Sequence, residues 1–214
     1  KIIRPNKCNN YFAGIFTKFI TMILPIIAYG HPVLKKVAQP ITADYPKLKE
    51  LIANMWETMY NGRGVGLAAP QIGLDIRLFV IDSEQLKEDE DDDEESDVRL
   101  TKGIKQVFIN PQIIDESGEP WVYEEGCLSI PDVRVKISRN ETVKLRYQDE
   151  NFVEHTVSFN EMNARIIQHE YDHLEGILLT DHMTPLKRSL IKKKLDNIAK
   201  GNIAAKYKMK FSAK

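Results

Sequence analysis

The sequence contains the stretch QHEYDHL at residues 168–174, which includes the pattern H-E-x-x-H. In a helix, His169 and His173 are four residues apart and project from one face, so both imidazoles can reach one metal ion. Glu170 would then lie beside that ion, where a carboxylate can accept a proton from bound water. The stretch therefore predicts a helix that provides two ligands to a divalent metal ion.

The third metal ligand decides which hydrolase chemistry this motif serves. One group of zinc proteases takes a Glu about twenty residues downstream, but the last Glu of this chain is Glu175. A second group extends the motif to H-E-x-x-H-x-x-G-x-x-H. Gly176 matches its glycine, but Leu179 stands at the last His position, and His182 lies three residues beyond it. Both protease patterns lack a ligand, so the third ligand must come from elsewhere in the chain.

Cys127, in the stretch EEGCLS at residues 124–129, is the best candidate for the third ligand. The other cysteine, Cys8, belongs to an N-terminal segment that is not expected to join the fold. Metal coordination deprotonates a cysteine outright, and Gly126 with its polar neighbours suits a metal-bound thiolate. The alternative interpretation is a small buried hydrophobic residue, and this stretch alone leaves it open.

A third segment, GVGLAAPQIG at residues 64–73, combines small residues with one amide side chain. Such a segment lets the backbone approach a ligand closely and presents the Gln71 amide to it. An ordinary packed turn with three glycines is the alternative interpretation.

The segments GVGLAAPQ, EGCLS and QHEYDH occur in this order, and together they resemble the peptide deformylase family. The resemblance spans residues 22–210 and includes the opening ILPI at 23–26, followed by YGHPVL at 29–34. It implies a metal-dependent hydrolase that removes the formyl group from the N-terminal formylmethionine of newly synthesised proteins. N-formylmethionyl nascent peptides would then be its substrates.

The resemblance also assigns roles to individual residues. It implies Cys127, His169 and His173 as metal ligands, and Glu170 as the general base and acid for metal-activated water. The Gln71 amide and the Leu128 backbone N–H would stabilise the oxyanion. The substrate-binding residues would be Val65, Gly66, Gly126, Arg134, Met162 and Ile166.

The ligand set bears on the identity of the metal ion, and two arginines bear on the substrate pocket. One divalent ion is implied, with Fe(II) expected and Zn(II), Ni(II) or Co(II) as substitutes, because a thiolate makes the site softer than imidazoles alone. Arg134 matches a family arginine near the substrate backbone, although a surface arginine is the competing interpretation. Arg165 departs from family members with an apolar residue there, which leaves open how closed the outer rim of the pocket is.

Two other functions remain to be weighed against this one. A metallopeptidase acting on internal amide bonds would need the Glu or His ligand that both protease patterns require. A non-catalytic, ribosome-associated binding module would be expected to have lost Glu170 or a metal ligand, and none of these residues is lost.

Charge is segregated along the chain despite a formal net charge of −1. Residues 88–95 are all acidic and are expected to form a solvated or disordered loop within an insertion at 83–105. Residues 186–214 contain ten Lys or Arg against Asp196 alone. This basic end is expected to be a solvated helix face, with contact to ribosomal RNA as the alternative.

The predicted fold class is α+β, with antiparallel strands packed around a central helix that contains the motif. Residues 22–210 are expected to form one catalytic domain, and residues 1–21 an extension outside it, such as a remnant of a misplaced start or of cloning. No apolar stretch approaches the ~18 residues of a membrane span, and the two cysteines imply no disulfide framework. We therefore expect a cytoplasmic protein with no membrane or DNA partner.

The periodicity of apolar residues places the individual elements. Asp44 is expected to cap a helix over 45–60 with Pro46 in its first turn. The motif helix is expected to run from an Asn160 cap to Leu174, and a last helix is expected over 185–200. Strands are predicted at 76–82, 106–114, 133–137, 142–147 and 152–159, with a hairpin turn at 148–151.

Overall fold

The computed structural model of the chain describes residues 21–88 and 99–212. The extension before Thr21 and nearly all of the acidic block at 88–95 lie outside the described residues. The expectations for these two segments, and the division of the chain into extension and domain, therefore stay predictions.

The described residues form the strands and helices in this order along the chain. The strands are β1 (Ile26–Ile27), β2 (Gly66–Ala68), β3 (Leu78–Asp82), β4 (Lys105–Cys127), β5 (Ile130–Gln148), β6 (Glu154–Asn160) and β7 (Met209–Lys210). The α-helices are α1 (Leu48–Asn61), α2 (Gln85–Glu88), α3 (Glu161–Leu174), α4 (Pro185–Leu190) and α5 (Lys192–Ala199). Short 3-10 helices span Pro32–Lys35, Ala69–Ile72 and Leu179–His182.

Five strands form one antiparallel sheet in the order β2-β3-β4-β5-β6. Helix α3 packs against this sheet through β2, β3, β5 and β6. Its apolar side chains, including Met162 and Ile167, join a core cluster with Phe79, Phe108 and Leu145 from the strands. The predicted α+β class, with antiparallel strands around the motif helix, is confirmed.

The bounds of α3 match the prediction, although its N-terminal cap differs. Asn160 precedes the helix, but its side chain makes no capping hydrogen bond and instead accepts one from the Thr142 hydroxyl at 3.3 Å. The chain turns away after Leu174 through Gly176, whose φ is +69°. A Cβ on Gly176 would lie 2.7 Å from the Lys35 carbonyl oxygen, so glycine is required there.

The hairpin of β4 and β5 is longer than predicted. The two separate strands expected at 133–137 and 142–147 are one strand, and β4 continues to Cys127. Gly118 lies within a register shift between Ser117 and Pro120, and Asn140 pairs with Pro120 in the continuous ladder. A β-bulge absorbs an extra residue without ending a strand, which local residue preferences do not reveal.

Two helix predictions were wrong in their bounds. Helix α1 begins at Leu48 because Lys47 adopts a left-handed φ of +55°, and Asp44 accepts a hydrogen bond from the Thr42 hydroxyl instead of capping the helix. The expected helix over 185–200 is interrupted at Ile191, where ψ is 7°, and so divides into α4 and α5. Within the described residues, no helix is long and apolar enough to cross a bilayer.

The basic C-terminal end returns to the domain instead of continuing as a helix face. Strand β7 pairs in parallel with β1, where Ile26 N–H donates to the Lys208 carbonyl at 2.9 Å and Ala28 N–H donates to the Lys210 carbonyl at 2.9 Å. Residues 203–211 alternate between half-buried and exposed positions, as a strand does. This segment was not predicted, although its alternation of apolar and polar residues is visible in the sequence.

Candidate metal centre

The three predicted metal ligands lie together where the end of β4 meets α3. The possible ligand atoms of Cys127, His169 and His173 are all within 4.8 Å of one another. The Cys127 Sγ lies 3.3 Å from His173 Nε2, and the two imidazole rings are 5.2 Å apart at 76°. The hairpin register shift between Gly126 and Cys127 turns the chain at this point. The fold therefore brings together a thiol and two imidazoles from segments more than forty residues apart.

The two histidines of the cluster have different surroundings. The Glu125 carboxylate lies 3.0 Å from His169 Nδ1, which leaves Nε2 as the free nitrogen of that ring. Burial, and then the charges of His169 and Arg139, lower the pKa of His173 well below its usual value. Burial also acts to lower the pKa of His169, but hydrogen bonds with Cys127 and Glu125 outweigh it and raise that pKa well above its usual value. The thiol and two imidazoles form a donor set that fits late first-row divalent ions.

Glu170 is buried next to the cluster, with 4% of its surface exposed. Its Oε2 atom has no hydrogen-bond partner among the described residues. Burial raises the pKa of Glu170 to about 7, so the carboxyl group can exchange a proton near neutral pH. A Cβ on Gly66 of β2 would lie 2.4 Å from Glu170 Oε1. Glycine at position 66 is therefore what admits the carboxyl group.

Gln71 presents its amide to the same cluster from the 3-10 helix that follows β2. Its Oε1 atom accepts a hydrogen bond from Ala68 N–H at 2.8 Å, which orients the side chain. Its Nε2 atom donates toward Cys127 Sγ at 3.6 Å. The predicted side-chain donor therefore lies at the cluster.

A network of buried charges beneath the cluster was not predicted. The carboxylate of Glu125 accepts hydrogen bonds from Arg139 Nε at 2.7 Å and Arg165 Nη1 at 2.6 Å. Burial would raise the pKa of Glu125, but hydrogen bonds from His169 and Arg139 hold that pKa well below its usual value. Arg139 also contacts the Asp172 carboxylate at 2.9 Å. The network thus fixes an anion against the far side of the His169 ring.

Arg165, for which the sequence left open how closed the outer rim of the pocket is, is buried in the structure. Its side chain is only 2% exposed, although it contributes to the lining of the cavity beside the cluster. It donates to the Trp121 carbonyl at 2.6 Å, and its guanidinium lies 4.4 Å from the centroid of the Trp121 ring. A buried guanidinium requires such partners because burial of an unpaired charge is costly. Arg165 therefore supports the site from beneath.

A cavity of about 620 Å³ opens beside Glu170 and His169. Its lining includes every residue that was predicted to bind substrate, together with the two predicted oxyanion donors. These residues are Val65, Gly66, Gly126, Arg134, Met162 and Ile166, with Gln71 and Leu128. Arg134 is exposed at its edge. Residues 204–207 of the C-terminal end also line it, which sequence reasoning missed. The volume is that of a typical small-molecule or peptide side-chain site.

Comparisons with known proteins agree with this geometry. The sequence model of the family described as polypeptide deformylase matches residues 23–189. A peptide deformylase of Christiangramia forsetii is 57% identical over 190 residues, covering 89% of this chain and 96% of the relative. One of Flavobacterium johnsoniae is 57% identical over 194 residues, covering 90% and 97%.

Solved structures give the same result for the fold. A crystal structure of a plant peptide deformylase is 32% identical with a TM-score of 0.71, covering 84% of this chain and 90% of that one. A peptide deformylase from Legionella pneumophila is 34% identical with a TM-score of 0.70, covering 85% and 98%.

Proposed function

This chain belongs to the polypeptide deformylase family, and we propose that it removes the formyl group from the N-terminal formylmethionine of newly synthesised proteins. It is a peptide deformylase, a hydrolase of protein processing. The observation that supports the full proposal is the buried carboxyl group of Glu170 beside the cluster of Cys127, His169 and His173, in the lining of a cavity.

Members of this family use a divalent metal ion, and Cys127, His169 and His173 would hold it in this chain. When bound there, a divalent cation lowers the pKa of a coordinated water and polarises a carbonyl group. The single thiolate adds negative charge and softness to the two imidazoles. Among the ions that such a set accepts, we propose Fe(II), with Zn(II), Ni(II) or Co(II) as substitutes.

Glu170 is the general base and acid in this proposal. Its carboxylate accepts a proton from the water that attacks the formyl carbon. When the C–N bond breaks, the same carboxyl group donates the proton to the leaving amine, and formate is the other product. A pKa raised by burial to about 7 suits both directions of transfer, because a catalytic group works best near the operating pH. Any side chain at position 66 would displace this carboxyl group, because its Cβ would lie 2.4 Å from Glu170 Oε1.

Two donors would stabilise the negative charge that develops on the formyl oxygen. The Gln71 Nε2 group is one, held in orientation by the Ala68 N–H on its Oε1 atom. The backbone N–H of Leu128, the residue after Cys127, is the other. Pre-oriented donors of this kind lower the barrier because they need no reorganisation during the reaction.

The substrate would bind along the cavity. Val65, Met162 and Ile166 provide apolar surface for the methionine side chain. Gly66 and Gly126 leave their backbone open to the peptide, and Arg134 at the exposed edge would contact the substrate backbone.

We also propose that the protein works in the cytoplasm and contacts the ribosome through α4 and α5. Lys187, Lys192 and Lys193 are exposed on these helices, and the side chains of Leu186 and Leu190 are 70% and 77% exposed. Cationic side chains bind RNA by neutralising phosphates. Because the end of the chain returns to the domain, the proposed contact surface is these two helices.

The test of the proposed function is formate release by protein purified without oxygen and analysed for metal. We expect bound divalent metal and rapid release of formate from formyl-Met-Ala-Ser. Acetyl-Met-Ala-Ser is the matched control, since it differs only at the group removed. Cleavage of an internal amide bond without formate release would instead identify a metallopeptidase.

A further inference from the structure

The C-terminal segment, residues 203–211, lies beyond the part of the chain that matches the family sequence model. It packs through Ile203, Met209 and Phe211 against a core cluster that includes Val133 and Ile198. Its backbone is fixed by the pairing of β7 with β1. The segment is therefore held in place at its far end and covers one side of the cavity.

Tyr207, within this segment, contacts the turn that follows the candidate ligand Cys127. Its hydroxyl donates a hydrogen bond to the Leu128 carbonyl at 2.7 Å. The Ser129 carbonyl, one residue further, accepts from Tyr29 N–H at 2.9 Å, and Tyr29 follows β1. The carbonyl groups of Leu128 and Ser129 are thus bound by Tyr207, just before β7, and by Tyr29, just after β1.

The side chain of Leu128 is fixed from the opposite direction. Its Cδ1 atom would lie 2.8 Å from a Cβ on Gly64, and its Cδ2 atom 3.0 Å from a Cβ on Gly62. Gly62 and Gly64 therefore leave room for the leucine side chain, while Tyr207 binds the Leu128 carbonyl group. Leu128 has little freedom to rotate between these two contacts.

We infer that Tyr207 is a positioning residue for deformylation, because its hydroxyl holds the Leu128 turn in the orientation that directs the Leu128 N–H at the formyl oxygen. This inference rests on the proposed function, which assigns that N–H to the oxyanion. Tyr207 acts through Leu128 and need not touch the reacting atoms. Ala204, Ala205 and Lys206 then form a wall of the cavity as a consequence of the same folding-back.

A positioning role and a purely structural role have different kinetic consequences. An oxyanion donor acts in the transition state, so its displacement lowers kcat and leaves KM nearly unchanged. General loosening of the cavity wall would raise KM. A loss of global stability would lower the melting temperature and the active fraction without changing the kcat of the folded molecules.

The experiment compares Tyr207→Phe, which removes only the hydroxyl group, with wild type and with Tyr45→Phe. Tyr45 is half-buried, and its hydroxyl makes no hydrogen bond to the described residues, so its variant controls for loss of a phenol. With formyl-Met-Ala-Ser, we expect kcat of Tyr207→Phe to fall about three- to tenfold, the effect of one hydrogen bond. KM should stay within twofold, and metal content and melting temperature should match those of Tyr45→Phe.

Two results would overturn the inference. One is a kcat equal to that of Tyr45→Phe, and the other is a raised KM at unchanged kcat, which would make Tyr207 a substrate contact. Active wild type distinguishes either result from failure of the proposed function, which would show as a wild-type protein that releases no formate.

Discussion

The two sides of the cavity are held by different kinds of contact. On one side, α3 and the glycine-rich segment bury Glu170 and Gln71 almost completely, and each is placed by a neighbour within a few residues or by direct packing. On the other side, a half-buried segment at the end of the chain is placed by pairing with β1, nearly two hundred residues earlier. Substitutions of the chemical groups on the first side should therefore lower activity strongly. Substitutions of positioning groups on the second side should lower it less.

The strongest test of the first side is Glu170→Ala. We expect the bound metal to be retained and formate release to fall roughly a thousandfold or more, because general acid–base catalysis contributes about 10²–10⁴-fold and water would lose its proton acceptor. Metal content and activity are measured on one preparation. Activity within tenfold of wild type would contradict the role of Glu170.

Gln71→Ala should have the next largest effect. Loss of one oxyanion donor raises the barrier by ~2.7–4 kcal/mol, so kcat should fall about a hundredfold or more. The contrast with Tyr207→Phe compares a direct donor with a residue that only positions one. Equal losses of kcat in Gln71→Ala and Tyr207→Phe would contradict the distinction between the two sides of the cavity.

Glu125→Gln tests the network of buried charges that lies beneath the cluster of candidate metal ligands. The variant keeps the shape but removes the anion that His169, Arg139 and Arg165 share, so we expect metal affinity to fall about 10–100-fold. Glu116→Gln, an exposed carboxylate on the same strand, is the control. Competition with a chelator measures affinity, and equal values for both variants would reduce Glu125 to a structural residue.

The smallest expected effect concerns the basic helices, which lie outside both sides of the cavity. Replacing Lys187, Lys192 and Lys193 with glutamate should weaken sedimentation with ribosomes and reduce its salt dependence between ~50 and 200 mM, while peptide turnover stays unchanged. The same change at the exposed Lys49, Lys102 and Lys144 gives an equal net charge at scattered positions. If both triple variants sediment alike, α4 and α5 are not a specific contact. Truncation of the C-terminal end would be a poor test, because it also removes Tyr207.

How far the sequence predicts this site depends on the range of the contacts. His169, Glu170 and His173 follow from helical spacing, and α3 from its apolar residues and Gly176, so these needed no tertiary information. Glu125 and its arginine partners come from a strand pair and a helix, and no local pattern indicates that they meet.

The C-terminal end shows the same limit for backbone structure. Its lysines favoured a solvated helix face, whereas the apolar residues between them pack inward once β1 offers a strand edge. Propensity and charge describe a segment alone, and pairing with a distant strand overrides them. The break at Ile191 and the left-handed Lys47 were likewise not indicated by local residue preferences.

The central claim is that Cys127, His169 and His173 hold the catalytic metal ion. X-ray absorption at the metal edge, measured on anaerobically purified and active protein, tests it most directly. One sulfur ligand at about 2.3 Å and two imidazole nitrogens at about 2.0–2.1 Å are predicted, on distances typical of such ligands. The sulfur contribution should disappear in Cys127→Ser. Active protein whose metal has no sulfur ligand would contradict the account.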